Sequence, residues 1–407
     1  MVRIFCGIDW SERHHDVAVV DEAGRLLVSR RISDDVAGFT ALTRLLAEYA
    51  GGETFTSVDV ALETDRGLLV AALRAAGHRV WAINPKAVDR YRDRHAVSGA
   101  KSDPGDALVL AHLLRTDAER HRPLPADSEQ VAAVAVLARA HQDAVWTQLR
   151  DAGRLRSLLR EFFPAALAAF PNLATRTATT VLAAAPTPAA AAELTDADLD
   201  RLLRETGRRG IRRSEPARLR AALTAEQLRQ PAAVEKAMGQ AVQSIVRTLA
   251  ATGRSITELE TALESTFEQH PDAEIVRSLP GLGVIGGARV LGEFGDDPTR
   301  FADAASRRAY AGSAPITRAS GRSRLVLRRR VRNRRLADAV RWWAFAATQH
   351  SPGAKAYYQA RRAAGDRHEA ALRRLAGKLL GQLHHCLTEH QLYQEDQAWP
   401  PAQADAA

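Results

Sequence analysis

The chain has 407 residues, of which 46% are hydrophobic, and it carries a formal net charge of +9 at pH 7. This length is sufficient for two or three domains with packed cores. No apolar run approaches the about 18 residues that span a bilayer, and the opening MVRIFCGIDW does not have the pattern of a signal peptide. Cys6 and Cys386 lie far apart, which argues against a disulfide scaffold or a zinc finger and favours a reducing cytoplasm.

The basic charge, with a pI of about 10, favours an anionic partner, most simply a nucleic acid. Only five of the 57 basic residues are lysines, and a GC-rich genome produces such an excess of arginine without any binding role. The distribution of the charge along the chain is therefore better evidence than its total.

The first 118 residues alternate between strand and helix patterns. Three segments rich in Val and Ile predict consecutive strands, namely VRIFCGID, HDVAVVD and RLLVSRRI. A helix over 35–49, a strand at TSVDVALE, a helix over 67–76, a strand at RVWAINP and further helices to Leu114 follow. Three antiparallel strands followed by β-α-β-α is the order of a ribonuclease H-like fold. We therefore predict an α/β domain over residues 1–118, followed by all-α segments.

Two long helices are predicted over 128–163 and 232–267, because apolar residues recur in both at close to every 3.5 positions. Such stripes usually form a packing face. Here they predict either an antiparallel coiled-coil arm or an oligomer contact. An Ala/Pro-rich linker, APTPAAAAELTDADL, and short helices lie between them, so we assign 119–270 to a helical coiled-coil and linker region.

From Pro271 the sequence becomes rich in glycine and then strongly basic. We predict a mainly helical C-terminal domain over 271–395 with a disordered polar tail over 396–407. Within it, LPGLGVIGGARVL resembles the hairpin of a helix-hairpin-helix element. Gly281 and Gly283 would let backbone N–H groups approach a phosphate there. The alternative is an ordinary Gly-rich turn between two helices.

Four carboxylates occupy the ends of elements in the predicted α/β domain. Asp9 ends the first strand and Glu63 ends the fourth. In GAKSDPGDALVLAHLL, Asp103 is predicted as a helix N-cap, Pro104 as the first helical residue, and Asp106 follows one turn later on the same face. We expect these acids to converge on one side of the sheet, where Mg²⁺ or Mn²⁺ would relieve their repulsion and serve phosphodiester chemistry.

Each of these acids also has a structural interpretation. An acidic first turn is favourable for any helix, and acids at strand ends are often solvent-facing. Asp16, Asp59 and Asp65 are nearby competitors whose predicted register is less suitable. Only the coincidence of all four positions favours a metal site.

The segments GIDWSERHHDVAVVDEAGRLL, ALET and KSDPGDALVLAHLL resemble, in this order, the catalytic motifs of DEDD-type insertion-sequence transposases. That family pairs a RuvC-like domain with a C-terminal serine domain, and its members are also called bridge-RNA-guided recombinases. The resemblance implies that the D, E, D, D signature corresponds to Asp9, Glu63, Asp103 and Asp106.

The resemblance continues in the C-terminal third, in LPGLGVIGGARVLGEFGD, FADAASRRAYAGSAPITRASG and RRRVRNRRLADAVRWWAFAA. The family's nucleophilic serine lies in a Ser-Gly pair after a Gly-x-x-Pro segment, which implies Ser320 here. Ser313 stands where the family commonly has Leu, and Ser323 is a third nearby hydroxyl. Both remain alternative candidates.

A basic segment surrounds these serines. From Ala304 to Ala337 there are eleven arginines and no acidic residue, so we expect polyanionic phosphate as the counterion. Trp342 and Trp343 after it are predicted to anchor the core. The side chains predicted to bind nucleic acid are Lys101, Arg318, Arg322, Arg324, Arg328, Arg329, Arg330, Arg332, Arg334 and Arg335.

The resemblance implies DNA strand transfer through a phosphoserine–DNA intermediate. It also implies donor and target DNA as substrates, a non-coding bridge RNA, and a homodimer or homotetramer acting at the bacterial nucleoid. One alternative is a RuvC-like hydrolytic junction nuclease. Another is an actin-like sugar kinase or ATPase, although Trp10, Ser11 and Glu12 suit a phosphate loop poorly. A non-catalytic DNA-binding protein is the third.

Overall fold

The computed structural model describes residues 3–51, 57–95 and 102–400. The chain divides into two compact units, Met1–Ala126 and Asp127–Ala407. The finer division predicted from the sequence, with boundaries at 118, 270 and 395, stays a prediction.

In the described part of the first unit, five strands form one mixed sheet in the order β3-β2-β1-β4-β5. Strands β1, β2 and β3 are antiparallel neighbours, whereas β4 runs parallel to β1 and β5 parallel to β4. This is the predicted topology, and it is the strand order of a ribonuclease H-like domain. The strands are β1 (Ile4–Trp10), β2 (His14–Asp21), β3 (Leu26–Ser33), β4 (Asp59–Leu62) and β5 (Arg79–Ala82).

Helices cover both faces of this sheet, because successive side chains of a strand point to opposite sides. Cys6 and Ile8 of β1 lie in a core with residues of α1 and α2, whereas Phe5 lies in a second core with residues of α4. The helices are α1 (Val36–Ala50), α2 (Leu68–Ala75), α3 (Pro85–His95) and α4 (Asp103–Asp117), with a 3₁₀ turn at Ala118–Arg120.

The N-cap of helix α4 lies one residue earlier than the sequence predicted. Ser102, not Asp103, is the N-cap, and its hydroxyl accepts a hydrogen bond from the Gly105 N–H at 3.3 Å. Asp103 and Pro104 are therefore the first two helical residues. Asp106 still follows Asp103 by one turn, so the predicted shared face is retained.

In the second unit the two predicted long helices, α5 (Glu129–Phe162) and α11 (Ala232–Glu268), pack against each other. They run antiparallel, because His141 contacts Glu260 whereas Gln148, further along α5, lies beside Gly253. The pairing of the two stripes is thus confirmed, and the supercoil of a coiled coil stays a prediction.

The residues between the long helices fold into short helices around a common core rather than forming an open linker. Leu159 of α5 and Val246 of α11 share this core with Val181 and Leu199. The short helices are α6 (Pro164–Ala169), α7 (Arg176–Ala184), α8 (Pro188–Glu193), α9 (Asp196–Glu205) and α10 (Glu215–Leu223).

The C-terminal part is mainly helical, as predicted, but it contains a two-stranded antiparallel hairpin that the sequence analysis missed. Its strands are β6 (Ile316–Ser320) and β7 (Ser323–Leu327). The helices are α12 (Ala273–Ser278), α13 (Val284–Phe294), α14 (Ala304–Ala311), α15 (Arg334–His350), α16 (Pro352–Ala363), α17 (His368–Thr388) and α18 (Glu395–Ala398).

Two further predictions were wrong in part. The tail is ordered through Trp399, whose indole packs on Tyr357 at a ring distance of 5.8 Å and donates to the Tyr393 hydroxyl at 2.9 Å. Trp343 is buried as predicted and donates to the Pro280 carbonyl, whereas Trp342 is 55% exposed. In the residues described, no helix is both long and apolar enough to cross a bilayer.

Candidate active site

Asp9 lies near the end of β1 on the face of the sheet that α4 covers, since it shares that face with Phe5 and Gly7. Its pKa is raised to about 6, first by burial and then by the negative charges of four other carboxylates. Those carboxylates belong to Asp106, Asp103, Glu63 and Asp16. The contribution of four carboxylates to the raised pKa of Asp9 places this residue within an acidic cluster.

Three elements bring this cluster together. Glu63 follows β4, the parallel neighbour of β1, and is exposed. Asp103 is exposed and Asp106 is buried, and both lie in the first turns of α4. Glu63, Asp103 and Asp106 are thus each within electrostatic range of Asp9.

Asp16 is a member of the cluster that the sequence analysis ranked too low. It lies directly opposite Asp9 in the register of β1 and β2, and it is 4% exposed. The hairpin between the two strands fixes this register, so counting back from the turn is the signal that would have placed it. The other two competitors differ. Asp59 is buried in contacts with Arg79 and Trp81, and Asp65 is exposed beside Arg66.

Two arginines compensate part of the negative charge. The Arg31 guanidinium contacts Asp16 at 2.7 Å and Asp103 at 3.5 Å. The Arg92 guanidinium contacts Asp106 at 2.6 Å. Because both cations sit beside these acids and not beside Asp9, the repulsion on Asp9 remains.

The donor set fits a hard divalent cation. Ligand atoms of His14, Asp16 and Asp103 all lie within 4.8 Å of one another, and the Asp9 carboxylate interacts with the same acids. Carboxylate oxygens with room for water are the ligands that Mg²⁺ and Mn²⁺ take. His14 was not anticipated, although the HHD segment of β2 carries it beside Asp16.

In the second unit, Ser320 is the last residue of β6 and pairs with Ser323 across a tight turn. Both side chains are exposed. Ser313 is half-buried after the end of α14, and its hydroxyl donates to the Arg308 carbonyl at 3.2 Å. In the described part of the chain, no side chain hydrogen-bonds to Ser320.

The arginines of the basic segment fall into two groups. Arg318, Arg322, Arg324, Arg328, Arg330 and Arg334 are exposed on or near the hairpin, and Arg329 and Arg332 are half-buried. Others have structural partners: Arg335 pairs with Asp143 at 2.9 Å and covers Trp146, and Arg307 is buried between Phe294 and Phe301. Lys101 lies outside the described residues.

The glycines before α13 also have structural positions. Gly281 has a φ of +74°, and a Cβ there would meet the backbone of Ala346 and Ala347 in α15 within 2.7 Å. This close packing explains the glycine by itself. Gly283 is the N-cap of α13, and the predicted phosphate contact of this turn stays a prediction.

Comparison with known proteins gives two family matches. Residues 6–164 match a transposase family of the DEDD type named for IS110, and residues 273–359 match the "Transposase IS116/IS110/IS902 family". The first match contains all four predicted acids, and the second contains the three candidate serines.

Full-length relatives agree with these matches. The chain is 54% identical to the "Mini-circle putative transposase for IS117" of Streptomyces coelicolor over 408 residues, which covers 99% of this chain and 98% of that protein. It is 30% identical to the "Insertion element IS116 uncharacterized 44.8 kDa protein" of Streptomyces clavuligerus, with 96% of each chain covered. The chain therefore belongs to the IS110/IS116 family of insertion-sequence transposases, enzymes with a DEDD domain that cleave DNA and transfer its strands.

Proposed function

We propose that this transposase breaks and rejoins DNA through a covalent link between Ser320 and a DNA phosphate, and that it depends on Mg²⁺ or Mn²⁺. In this proposal Asp9, Glu63, Asp103 and Asp106 hold the cation at the scissile phosphate. The observation that carries it is the acidic cluster around Asp9, whose pKa is raised to about 6 by burial and by the other three acids together with Asp16.

The chain's own groups account for why a cation is needed. Five carboxylates around one strand end cannot all remain ionised without a compensating positive charge, and Arg31 and Arg92 compensate only part of it. A bound divalent cation supplies the remaining charge and neutralises the developing negative charge on a phosphate. The acids would orient it.

In the first chemical step the Ser320 oxygen forms a bond to phosphorus, the hydroxyl loses its proton, and one phosphorus–oxygen bond of the DNA breaks. The departing DNA oxygen takes up a proton. In the second step a hydroxyl of the partner strand attacks the phosphoserine and releases Ser320. The phosphodiester energy is conserved in the link, so no external energy source is needed.

The exposed arginines on the hairpin support DNA as the partner of this serine. Arg318, Arg322 and Arg324 lie within four residues of Ser320, and all three are exposed. Guanidinium groups bind phosphates and stabilise the additional charge of the transition state.

The bridge RNA that would pair with donor and target DNA follows from the family resemblance, as does a homodimer or homotetramer with a composite site. The same holds for action at the nucleoid. Family membership sets aside the sugar-kinase and non-catalytic alternatives. Hydrolytic cleavage remains as the alternative, and the experiment must distinguish it from strand transfer through a serine–DNA link.

The experiment is to incubate the full chain with Mg²⁺, the structured RNA encoded beside the gene and donor DNA, and to search for a protein–DNA adduct that survives denaturation. We expect an adduct that peptide mapping places on Ser320, absent in Ser320→Ala and present in Ser313→Ala and Ser323→Ala. Cleavage without any adduct in the wild type would replace strand transfer with hydrolysis. An adduct that is lost only in Ser313→Ala or Ser323→Ala would move the nucleophile.

A further inference from the structure

The second unit contains a cavity of about 650 Å³ beside the hairpin. Its wall is formed by the end of α14, the segment between β7 and α15, the first turns of α15, and α17. The side chains that matter are Ser313, Arg328, Arg332, Arg334 and Arg373. Arg328 and Arg334 are exposed, so the cavity opens to solvent.

The positive charge of this cavity is not balanced by the protein. Of its five arginines, only Arg341 is held by a carboxylate, since Glu369 binds it through two contacts of 2.6 and 2.9 Å. The remaining acid, Asp338, accepts a hydrogen bond from Gln142.

The other four arginines make no ion pair with a described residue. In the described chain, Arg328, Arg334 and Arg373 also make no hydrogen bond, and Arg332 donates only to the Arg329 carbonyl. Four guanidinium groups around one concavity therefore have no described carboxylate in direct contact. Arg332 and Arg373 are half-buried, and a charge that is partly removed from water without a direct partner is costly.

The positive charges of these arginines also lower the pKa values of their neighbours. Burial and the charges of Arg328 and Arg334 lower the pKa of Arg332. Burial and the charges of Arg328 and Arg374 lower the pKa of Arg373, and they outweigh the opposing charges of Asp366 and Glu369. Both effects report a positive potential inside the cavity, which an anion would relieve.

We infer that this cavity binds a backbone phosphate of duplex DNA, with Arg328, Arg332 and Arg373 as its charge partners. The inference rests on the proposed function in one respect, that the basic segment meets DNA. It adds Arg373, which lies on α17 outside that segment, as a residue that contacts the DNA backbone.

Phosphate suits the cavity for chemical reasons. A guanidinium group offers paired N–H donors that match two phosphate oxygens. Such contacts carry no sequence information and serve to position the duplex. A phosphate held here would fix the DNA relative to the adjoining hairpin that carries Ser320.

Adjacent residues on α17 provide a matched test. Arg373 lines the cavity, whereas Arg374 points to Asp366 at 3.0 Å and does not line it. Full-length Arg373→Gln and Arg374→Gln proteins lose the same charge from neighbouring positions. Binding of a labelled duplex of arbitrary sequence is measured by fluorescence anisotropy between 50 and 300 mM NaCl, with the same measurement on a single-stranded RNA of equal length.

We expect Arg373→Gln to weaken duplex binding about 5- to 10-fold and to reduce the slope of log K against log salt by about 1. Arg374→Gln should change the slope by much less. Arg328→Gln, at an exposed position, should repeat the effect and serves if Arg373→Gln does not fold. Equal effects of the two α17 variants would overturn the inference, as would a loss confined to RNA.

The result of the duplex-binding assay can be distinguished from the result of the test for a Ser320 adduct. The binding assay requires no cleavage, so it can be repeated in the Ser320→Ala background. If Ser320 forms no adduct but Arg373→Gln still loses duplex affinity, the phosphate cavity stands and the proposed nucleophile does not. If the adduct forms normally and the α17 variants bind alike, only the cavity is excluded.

Discussion

Gly7 in β1 lies directly beneath the backbone of Ala107 in α4. A Cβ at Gly7 would collide with the Ala107 carbonyl oxygen and with the Ala111 N–H. This contact sets how closely α4 approaches the sheet. Gly7 lies two residues before Asp9, and Ala107 directly follows Asp106 on α4. The distance between the acids of β1 and the acids of α4 therefore depends on having glycine at position 7.

Gly7→Ala should separate α4 from the sheet. The collision is with backbone atoms that cannot rotate away, so we expect a cost of about 1–3 kcal/mol, as for overpacked cores, and a loss of metal-dependent DNA cleavage. Hydrogen exchange measured by mass spectrometry should show faster exchange in peptides of α4.

Gly153→Ala is the control for this change. Gly153 lies within α5 with open space around its Cβ position, so alanine there should leave exchange in α4 unchanged and stabilise α5 by about 1 kcal/mol or less. Unchanged α4 exchange in Gly7→Ala would contradict the proposed dependence of the site on this contact.

Arg31 and Arg30 offer a second matched pair, on neighbouring positions of β3. Arg31 binds the buried Asp16 and also reaches Asp103, whereas Arg30 is exposed. Arg31→Gln leaves a buried carboxylate without its cation, so we expect it to destabilise the β2–β3 region more than Arg30→Gln does in the presence of EDTA. Arg30→Gln should cost less than about 0.5 kcal/mol. Hydrogen exchange of peptides from β2 and β3 measures both, and equal protection in the two variants would argue that the Arg31 contacts contribute nothing.

The α/β fold of the first unit was predictable because each strand has a strong local pattern. β1, β2 and β4 each contain a short run of apolar residues, as expected for buried strands, and their order along the chain indicates the topology. The two long helices were predictable for a similar reason, since their stripes extend over many turns.

The hairpin that carries Ser320 was not predictable in this way. In ITRAS and SRLVL nearly every residue is exposed, so neither strand has the apolar alternation that identifies a strand with one buried face. The tail was predicted to be disordered because its composition is mostly polar. Its order depends on one aromatic residue, Trp399, which packs on Tyr357 and Gly353. Such long-range contacts leave no local signal.

The acidic cluster was predictable in outline and incomplete in detail. Asp9, Glu63, Asp103 and Asp106 are recognisable because each ends or begins an element. Asp16 lies inside β2 and joins the cluster only through the strand register. The N-cap was misassigned for a different reason, since Ser and Asp both cap helices well and only the backbone geometry distinguishes Ser102 from Asp103.

Divalent cation binding should be visible as a thermal shift before any DNA is added. The cation relieves the repulsion on Asp9, so a concentration of 100 times its Kd should stabilise the folded first unit by about 2.7 kcal/mol. Asp9→Asn removes one ligand and also one repelled charge. We therefore expect this variant to be no less stable than wild type in EDTA and to lose most of its Mg²⁺-dependent shift in Tm.

Asp65→Asn is the control, because Asp65 is exposed and its contact is with Arg66. Its Mg²⁺-dependent shift should equal that of wild type. A full shift in Asp9→Asn, or an equal loss in both variants, would show that the cation does not bind at the acidic cluster.

Asp296 should make the stability of the second unit depend on pH. Burial alone would raise its pKa, but hydrogen bonds from Ser128 and His270 outweigh burial and hold the pKa of Asp296 below its usual value. A carboxyl group with a lowered folded-state pKa stabilises the fold above its unfolded pKa of about 3.9 and loses that contribution as the pH falls through the lower folded value. Asp296→Asn should therefore be less stable than wild type at pH 7, and the difference should shrink between about pH 4 and pH 2.

Urea unfolding at a series of pH values measures this difference. The control is Glu264→Gln, which changes an exposed carboxylate on α11 and whose difference in stability from wild type should stay near zero. A difference for Asp296→Asn that stays constant down to pH 2 would mean that its charge does not stabilise the fold, and that only the shape of the side chain matters at the start of α5.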